Sequence, residues 1–233
     1  MGKANIIAID GPAASGKSTV GQRLAEELGY LYFDTGVMYR ALTWVVLQRQ
    51  IALEDPARTS ALAEQLDIDV RPPSQDDGRA YDVWVDGEDI TWEIRSPAVD
   101  ANVSVVSEYL GVRQALSAKQ RTIGLRGKVV MVGRDIGTVV LPEADLKIYL
   151  DASIEERARR RHRELVARGE NSSYENTLEA MRRRDNIDST RAVAPLRPAS
   201  DAVILDSDRL SVEQVLEKVS GMVTLDEPKS RHG

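Results

Sequence analysis

The stretch Asn5-Ile-Ile-Ala-Ile-Asp-Gly-Pro-Ala-Ala-Ser-Gly-Lys-Ser-Thr19 decides the fold of this 233-residue chain. An apolar run, Ile6 to Ile9, reads as a buried strand. It leads into Gly11, Pro12, Ala13, Ala14, Ser15, Gly16, Lys17, Ser18 and Thr19, and an amphipathic helical pattern follows. A Gly-rich turn between strand and helix aims backbone N–H groups at phosphate oxygens. The N-terminus of the helix adds positive dipole at the same point. Lys17 is placed to reach the β- and γ-phosphates of a nucleotide, and the Ser18 hydroxyl to ligate the accompanying Mg2+.

Four further apolar runs alternate with longer periodic segments: Tyr30–Asp34, Lys128–Gly133, Leu146–Asp151 and Ala202–Asp206. Such alternation predicts an α/β fold, a doubly wound sheet of about five parallel strands with helices on both faces. Most runs end in Asp or Gly, which puts polar groups where such sheets bind ligands. Gly29 fits the C-terminal cap of the first helix. Ser153-Ile-Glu-Glu156 and Ser211-Val-Glu-Gln214 read as capping boxes. Between Leu66 and Ser96 the rhythm turns to short β: LDIDV, YDVWV and EDIT, with Asp86-Gly87 a hairpin signal. This is a small antiparallel insert on a single domain spanning 1–233, either an ornament or a flap over a substrate. Pro72–Gly78 reads as a mobile loop, and the tail from Asp226 as disordered.

The chain has no cysteine, which excludes disulfides and thiolate metal sites, and two histidines, His162 and His232. His162 lies in an Arg-rich helical segment and reads as a solvated surface residue. No apolar run approaches the roughly 18 residues of a membrane span, so a cytoplasmic protein without a membrane partner is expected. Net charge is −6, which argues against general nucleic-acid binding. Yet residues 157–191 hold ten of the 24 arginines, Arg168 among them. They serve either as solvated helix pairs such as Glu155–Arg159 and Glu156–Arg160, or as a bidentate grip on phosphate.

A phosphate loop does not name a reaction. No asparagine precedes a lysine, so the guanine signature of GTPases is missing. No Gly-Gly pair is present for the signature of transporter-type ATPases. A kinase fits better: two polyanions must be brought together, and fixed positive charge offsets their repulsion. Kinases of one or another nucleoside monophosphate or of a small-metabolite hydroxyl remain open, as does a non-catalytic nucleotide- or RNA-binding protein.

Four motifs narrow this. Gly11–Ser18, Asp34-Thr-Gly-Val-Met-Tyr-Arg40, Gly133-Arg-Asp-Ile-Gly-Thr138 and Asp188-Ser-Thr-Arg-Ala-Val-Ala-Pro-Leu196 resemble, in order and spacing, those of the bacterial cytidylate kinases. VDGEDIT and IRSPAVDANVS resemble the nucleotide-binding insert of that family. The resemblance runs from Asn5 to about Val223. It implies transfer of the ATP γ-phosphoryl, carried with Mg2+, to CMP or dCMP; separately, no apolar helix face or long edge strand asks for a partner, so a monomer is expected. The resemblance also implies an NMP-binding insert at about 63–103 and an Arg-rich helical lid at about 154–172. Position by position, Thr35 falls near the acceptor sugar, and Arg40 and Arg134 around the acceptor phosphate. Ser104, Arg113, Asp135 and Arg191 face the pyrimidine, while Arg184 and Asp188 lie near the ribose. The arginines from 157 to 163 fall in the lid over ATP, Arg157 and Arg161 foremost. Catalytic roles are implied for Lys17, Arg134, Arg161 and Arg191. Two plainer readings stand beside these: Arg134 and Asp135 as a strand-end ion pair, and Asp188 as a helix cap. The family often has an acid before Gly133, where this chain has Val132.

Overall fold

The strand Ile6–Asp10 (β2) lies at the centre of the protein, buried along nearly its whole length. A computed structural model describes residues 2–167, 169, 172–191 and 193–225; Arg168 and the tail beyond 225 lie outside them. A two-residue strand, Gly2–Lys3 (β1), precedes β2. Leu31–Asp34 (β3), Val129–Gly133 (β7), Leu146–Asp151 (β8) and Val203–Asp206 (β9) complete one parallel sheet in the order β3-β7-β2-β8-β9. All five strands fall within a residue of the apolar runs. Continuous Val and Ile sequences form central parallel strands because helices cover both faces and no position faces water. The edge strand β9 is the exception, with Ile204 60% exposed.

Register aligns the chemistry at one edge. Asp10 pairs with Gly133 on one side and Tyr149 on the other, while Asp34 pairs with Val132. These are the carboxyl ends of the strands, where a doubly wound sheet opens its cleft. Helix α1 (Lys17–Leu28) leaves β2 there and ends at Gly29, in the left-handed conformation at φ 66°. Helix α2 (Gly36–Gln48) follows β3, and α3 (Pro56–Gln65) is capped by Asp55, which accepts from the Arg58 N–H. Ser211 opens α8 (Val212–Val223) with a complete capping box.

The insert is a three-stranded antiparallel sheet, Ile68–Arg71 (β4), Asp82–Val85 (β5) and Glu88–Asp89 (β6), followed by α4 (Pro97–Glu108) and α5 (Leu110–Gly124). The Pro72–Gly78 loop, expected to be mobile, is tied down. Arg79, nearly fully buried, pairs with Asp77, Asp82 and Asp89, and the Trp92 indole donates to Asp77 at 2.9 Å. These partners are separated by up to 15 positions, and no short-range pattern announces them.

Helices α6 (Ile154–Ala167) and α7 (Tyr174–Thr190) pack on each other across the open side of the sheet. His162 is half-buried rather than solvated, since its ring meets the edge of Tyr174 at 6.4 Å where the two helices touch. The strand Thr224–Leu225 (β10) pairs with β1; two residues are too few to leave a periodic signal. Among the described residues no helix is long and apolar enough to cross a membrane.

Candidate active site

The loop after β2 is shaped by backbone constraints. Gly11 has φ 154°, and a Cβ there would stand 2.1 Å from the Leu150 carbonyl oxygen of β8. Only glycine lets the loop pass that close. Gly16, at φ 95°, caps α1 from outside and turns the first free N–H groups of the helix toward the cleft. Ala13 to Thr19 line a cleft of about 1190 Å³, whereas Gly11 and Pro12 lie beneath it as support.

Lys17 is buried and donates to the Pro12 carbonyl at 2.8 Å. Burial, then the nearby Arg134 guanidinium, lower its pKa from 10.5 to about 7, with Asp34 and Asp10 partly opposing the shift. A lysine lowered in this way holds its proton less tightly, and a neighbouring anion favours the charged form. Ser18 Oγ lies 3.4 Å from Asp34 Oδ2, and Asp34 Oδ1 accepts the Gly36 N–H at 3.0 Å. A hydroxyl beside one carboxylate is the partial oxygen set that Mg2+ accepts when phosphates complete its shell. Among the described residues no group of three or more His, Cys, Asp or Glu side chains could hold a metal without them.

The remaining motif residues converge on the same cleft, and they do not pair as neighbours. Arg134 pairs with Asp188 across 54 positions, so Asp188 sits within α7 as an ion-pair partner rather than a cap. Asp135 turns the other way, 3.6 Å from both Arg113 and Arg191. Burial raises the Asp135 pKa and the two guanidiniums pull it down. Arg191 also lies 3.5 Å from Asp188. Arg184 lines the same wall, and its pKa is lowered chiefly by Arg134. Two expected contacts are already engaged. Arg40 bridges to Asp100 at 2.6 Å and to the Ile94 carbonyl, fastening α2 to the insert. Thr35 Oγ1 donates to the Val132 carbonyl at 3.1 Å. Ser104 lines the cleft from α4, exposed. Val132 is buried against α1, where its Cγ2 would stand 2.5 Å from a Cβ at Gly21, so the position before Gly133 does not face the phosphates.

The arginines of α6 divide. Arg157 is buried, paired bidentately with Asp185 at 3.1 and 2.6 Å and bonded to the Ala152 and Ala13 carbonyls; it does not line the cleft. Arg160 bonds Ser207 and the Ser15 carbonyl, and pairs with Glu156 as expected. Glu155 pairs with Arg182 instead of Arg159. Arg161 lines the cleft, and among the described residues its one ion pair is with the exposed Glu164 at 3.1 Å.

Two further groups belong to none of the four motifs. Asp10, buried at the end of β2, accepts the Ile136 and Gly137 N–H groups, both at 2.8 Å. It thereby holds the π-turn Ile136–Val140 that follows Arg134-Asp135. Burial raises its pKa from 3.8 to about 6 against the pull of those two hydrogen bonds. Gln120 of α5 is the other, fully enclosed yet part of the cleft lining. Its signal was available, since it follows Arg113 by seven residues and shares its helix face.

Comparison with known proteins follows the same lines. A family model described as Cytidylate kinase matches residues 7–225. A protein of Herpetosiphon aurantiacus named Cytidylate kinase is 51% identical over 217 residues, 93% of each chain. One of Roseiflexus castenholzii, with the same name, is 53% identical over 220 residues, 94% of this chain and 93% of its own. One of Geobacillus sp. is 49% identical over 217 residues, 93% of this chain and 95% of its own.

Proposed function

The chain belongs to the cytidylate kinase family, and on that premise we propose that it phosphorylates CMP and dCMP with ATP, releasing ADP and CDP or dCDP. One observation supports this most: the phosphate loop and an Asp135-centred polar pocket open into a single cleft, with Lys17, Arg134, Arg161 and Arg184 along it.

An oxygen of the acceptor phosphate attacks the γ-phosphorus of ATP in line, and the bond to the β–γ bridging oxygen breaks to leave ADP. The acceptor phosphate has a second pKa near 6 and is largely ionised at pH 7, so no general base is needed. Lys17 meets the β- and γ-phosphates. Arg134 and Arg161 neutralise charge on the transferring group, and Arg40 orients the acceptor phosphate. Ser18 Oγ and Asp34 would hold a Mg2+ ion brought with the phosphates, which would supply further neutralisation. Closure of the α6–α7 pair excludes water that would otherwise consume ATP.

At the base, the Asp135 carboxylate accepts from the 4-amino group of cytosine, while Arg113 and Arg191 donate in the ring plane. Uracil carries a carbonyl at that position and leaves Asp135 without a donor. Asp188 and Arg184 stand by the sugar. A coupled ADP-release assay across nucleoside monophosphates tests the reading: CMP and dCMP turn over, and UMP and AMP turn over at least tenfold less efficiently. Equal turnover of UMP and CMP would refute the base assignment.

A further inference from the structure

Three buried nitrogen donors at the acceptor end of the cleft have no hydrogen-bond partner among the described residues: Arg113 Nε, Arg191 Nη2 and Gln120 Nε2. The two arginines retain ionic partners in Asp135, whereas the neutral Gln120 has only the Tyr39 phenol beside it. Its side chain is only 2% exposed, on a helix whose other buried positions are Val112, Leu116, Ile123 and Gly124. An amide enclosed among such residues with its Nε2 unmatched in hydrogen-bond geometry is a standing cost to the fold, and a leucine there would avoid it.

The surroundings say what would meet it. Tyr39, Arg113, Asp135, Arg191 and Gln120 all line the same cleft, with Arg113 and Arg191 each 3.6 Å from Asp135. The Arg113 guanidinium stands over the Tyr39 ring at 5.8 Å. Asp135 is the single anion in this group. A flat ligand entering here must present one donor edge to Asp135 and acceptors to the remaining donors. A cytosine ring has that arrangement, with its 4-amino group next to the N3 and O2 acceptors.

We propose that Gln120 is a base-recognition residue, its Nε2 donating to a ring acceptor of the pyrimidine at the closed end of the pocket that Asp135 and Arg113 line. This rests on the CMP reading above. The unmet donor in the free protein is then specificity held in reserve: a ligand lacking the acceptor leaves Gln120 buried and unpaired a second time.

Calorimetric titration of CMP and of a non-hydrolysable ATP analogue into wild type and Gln120→Met tests it. Methionine keeps the unbranched length and removes the amide. CMP affinity is expected to fall about tenfold while the ATP analogue binds within twofold of wild type, and the ligand-free variant melts no lower than wild type. A CMP loss below threefold, or an equal loss for both ligands, overturns the proposal. If the variant does not fold, the side-chain amide resonance of Gln120 in wild type decides: it shifts on adding CMP and stays in place with the ATP analogue, and an unmoved resonance overturns the assignment. Failure of wild type to bind CMP would instead bring down the substrate reading, before any variant is made.

Discussion

Replacing Lys17 with methionine should stabilise the ligand-free protein while removing its activity, by an amount that depends on pH in a set direction. Burial and Arg134 depress the lysine from 10.5 to about 7. The unfolded chain therefore holds this proton to higher pH than the folded one does, and the charge costs stability wherever the unfolded lysine is protonated. Below pH 7 the full cost applies, roughly 5 kcal/mol as an upper bound from the 3.5-unit difference. At pH 9 about 2 kcal/mol remains, and the cost vanishes above 10.5. Methionine keeps the buried stem, and losing the hydrogen bond to Pro12 offsets about 1 kcal/mol of the gain. Thermal melts of both proteins at pH 6 and pH 9 should show the variant ahead at pH 6. Its lead should shrink by about 3 kcal/mol at pH 9, or roughly 6–12 °C for a domain of this size. Turnover of CMP should fall at least 10²–10³-fold, as for other lost transition-state donors. A lead that is the same at both pH values, or a variant less stable at pH 6, would refute a buried, strained ammonium at this position.

Arg191→Ala should weaken CMP by tenfold or more and an ATP analogue by less than threefold, because its guanidinium faces Asp135 and Asp188 rather than the phosphate loop; separate titrations read the two. Asp10, raised to about 6, binds its proton more tightly folded than unfolded, so its contribution to stability falls as pH climbs from 3.8 to 6. Asp10→Asn should therefore gain on wild type by about 1 kcal/mol between pH 5 and pH 7.5, and melts showing a constant difference would count against the shift. Gly11→Ala forces a Cβ to 2.1 Å from the Leu150 carbonyl, and should lower the melting temperature and abolish binding of the ATP analogue together. A variant that keeps wild-type ATP affinity would show that the loop accommodates the methyl group.

Much of the fold was legible because its determinants are neighbours in the chain. The five strands announce themselves as continuous apolar runs, Gly29 and Ser211 mark helix ends, and Asp86-Gly87 sits in the hairpin between β5 and β6. The Pro72–Gly78 loop read as free because its anchors, Asp77 with Arg79 and Trp92, form no repeating pattern. The arginine-rich segment was ambiguous for a related reason. Composition cannot distinguish Arg157, which is held by Asp185 28 positions away, from Arg161, which lines the cleft.

By itself the sequence determined the phosphate loop, the parallel sheet and the four motifs that mark the family, since each is written in short-range order. Only the tertiary structure decided which side chains remain available to a ligand. Strand register set Asp10 beside Gly133, and its two hydrogen bonds reach Ile136 and Gly137 more than a hundred positions away. The packing of α5 against the cleft enclosed Gln120 with its Nε2 unmatched in hydrogen-bond geometry. Whether a charge or an amide is spent or free depends on what approaches it from distant parts of the chain, and local order carries no record of that approach.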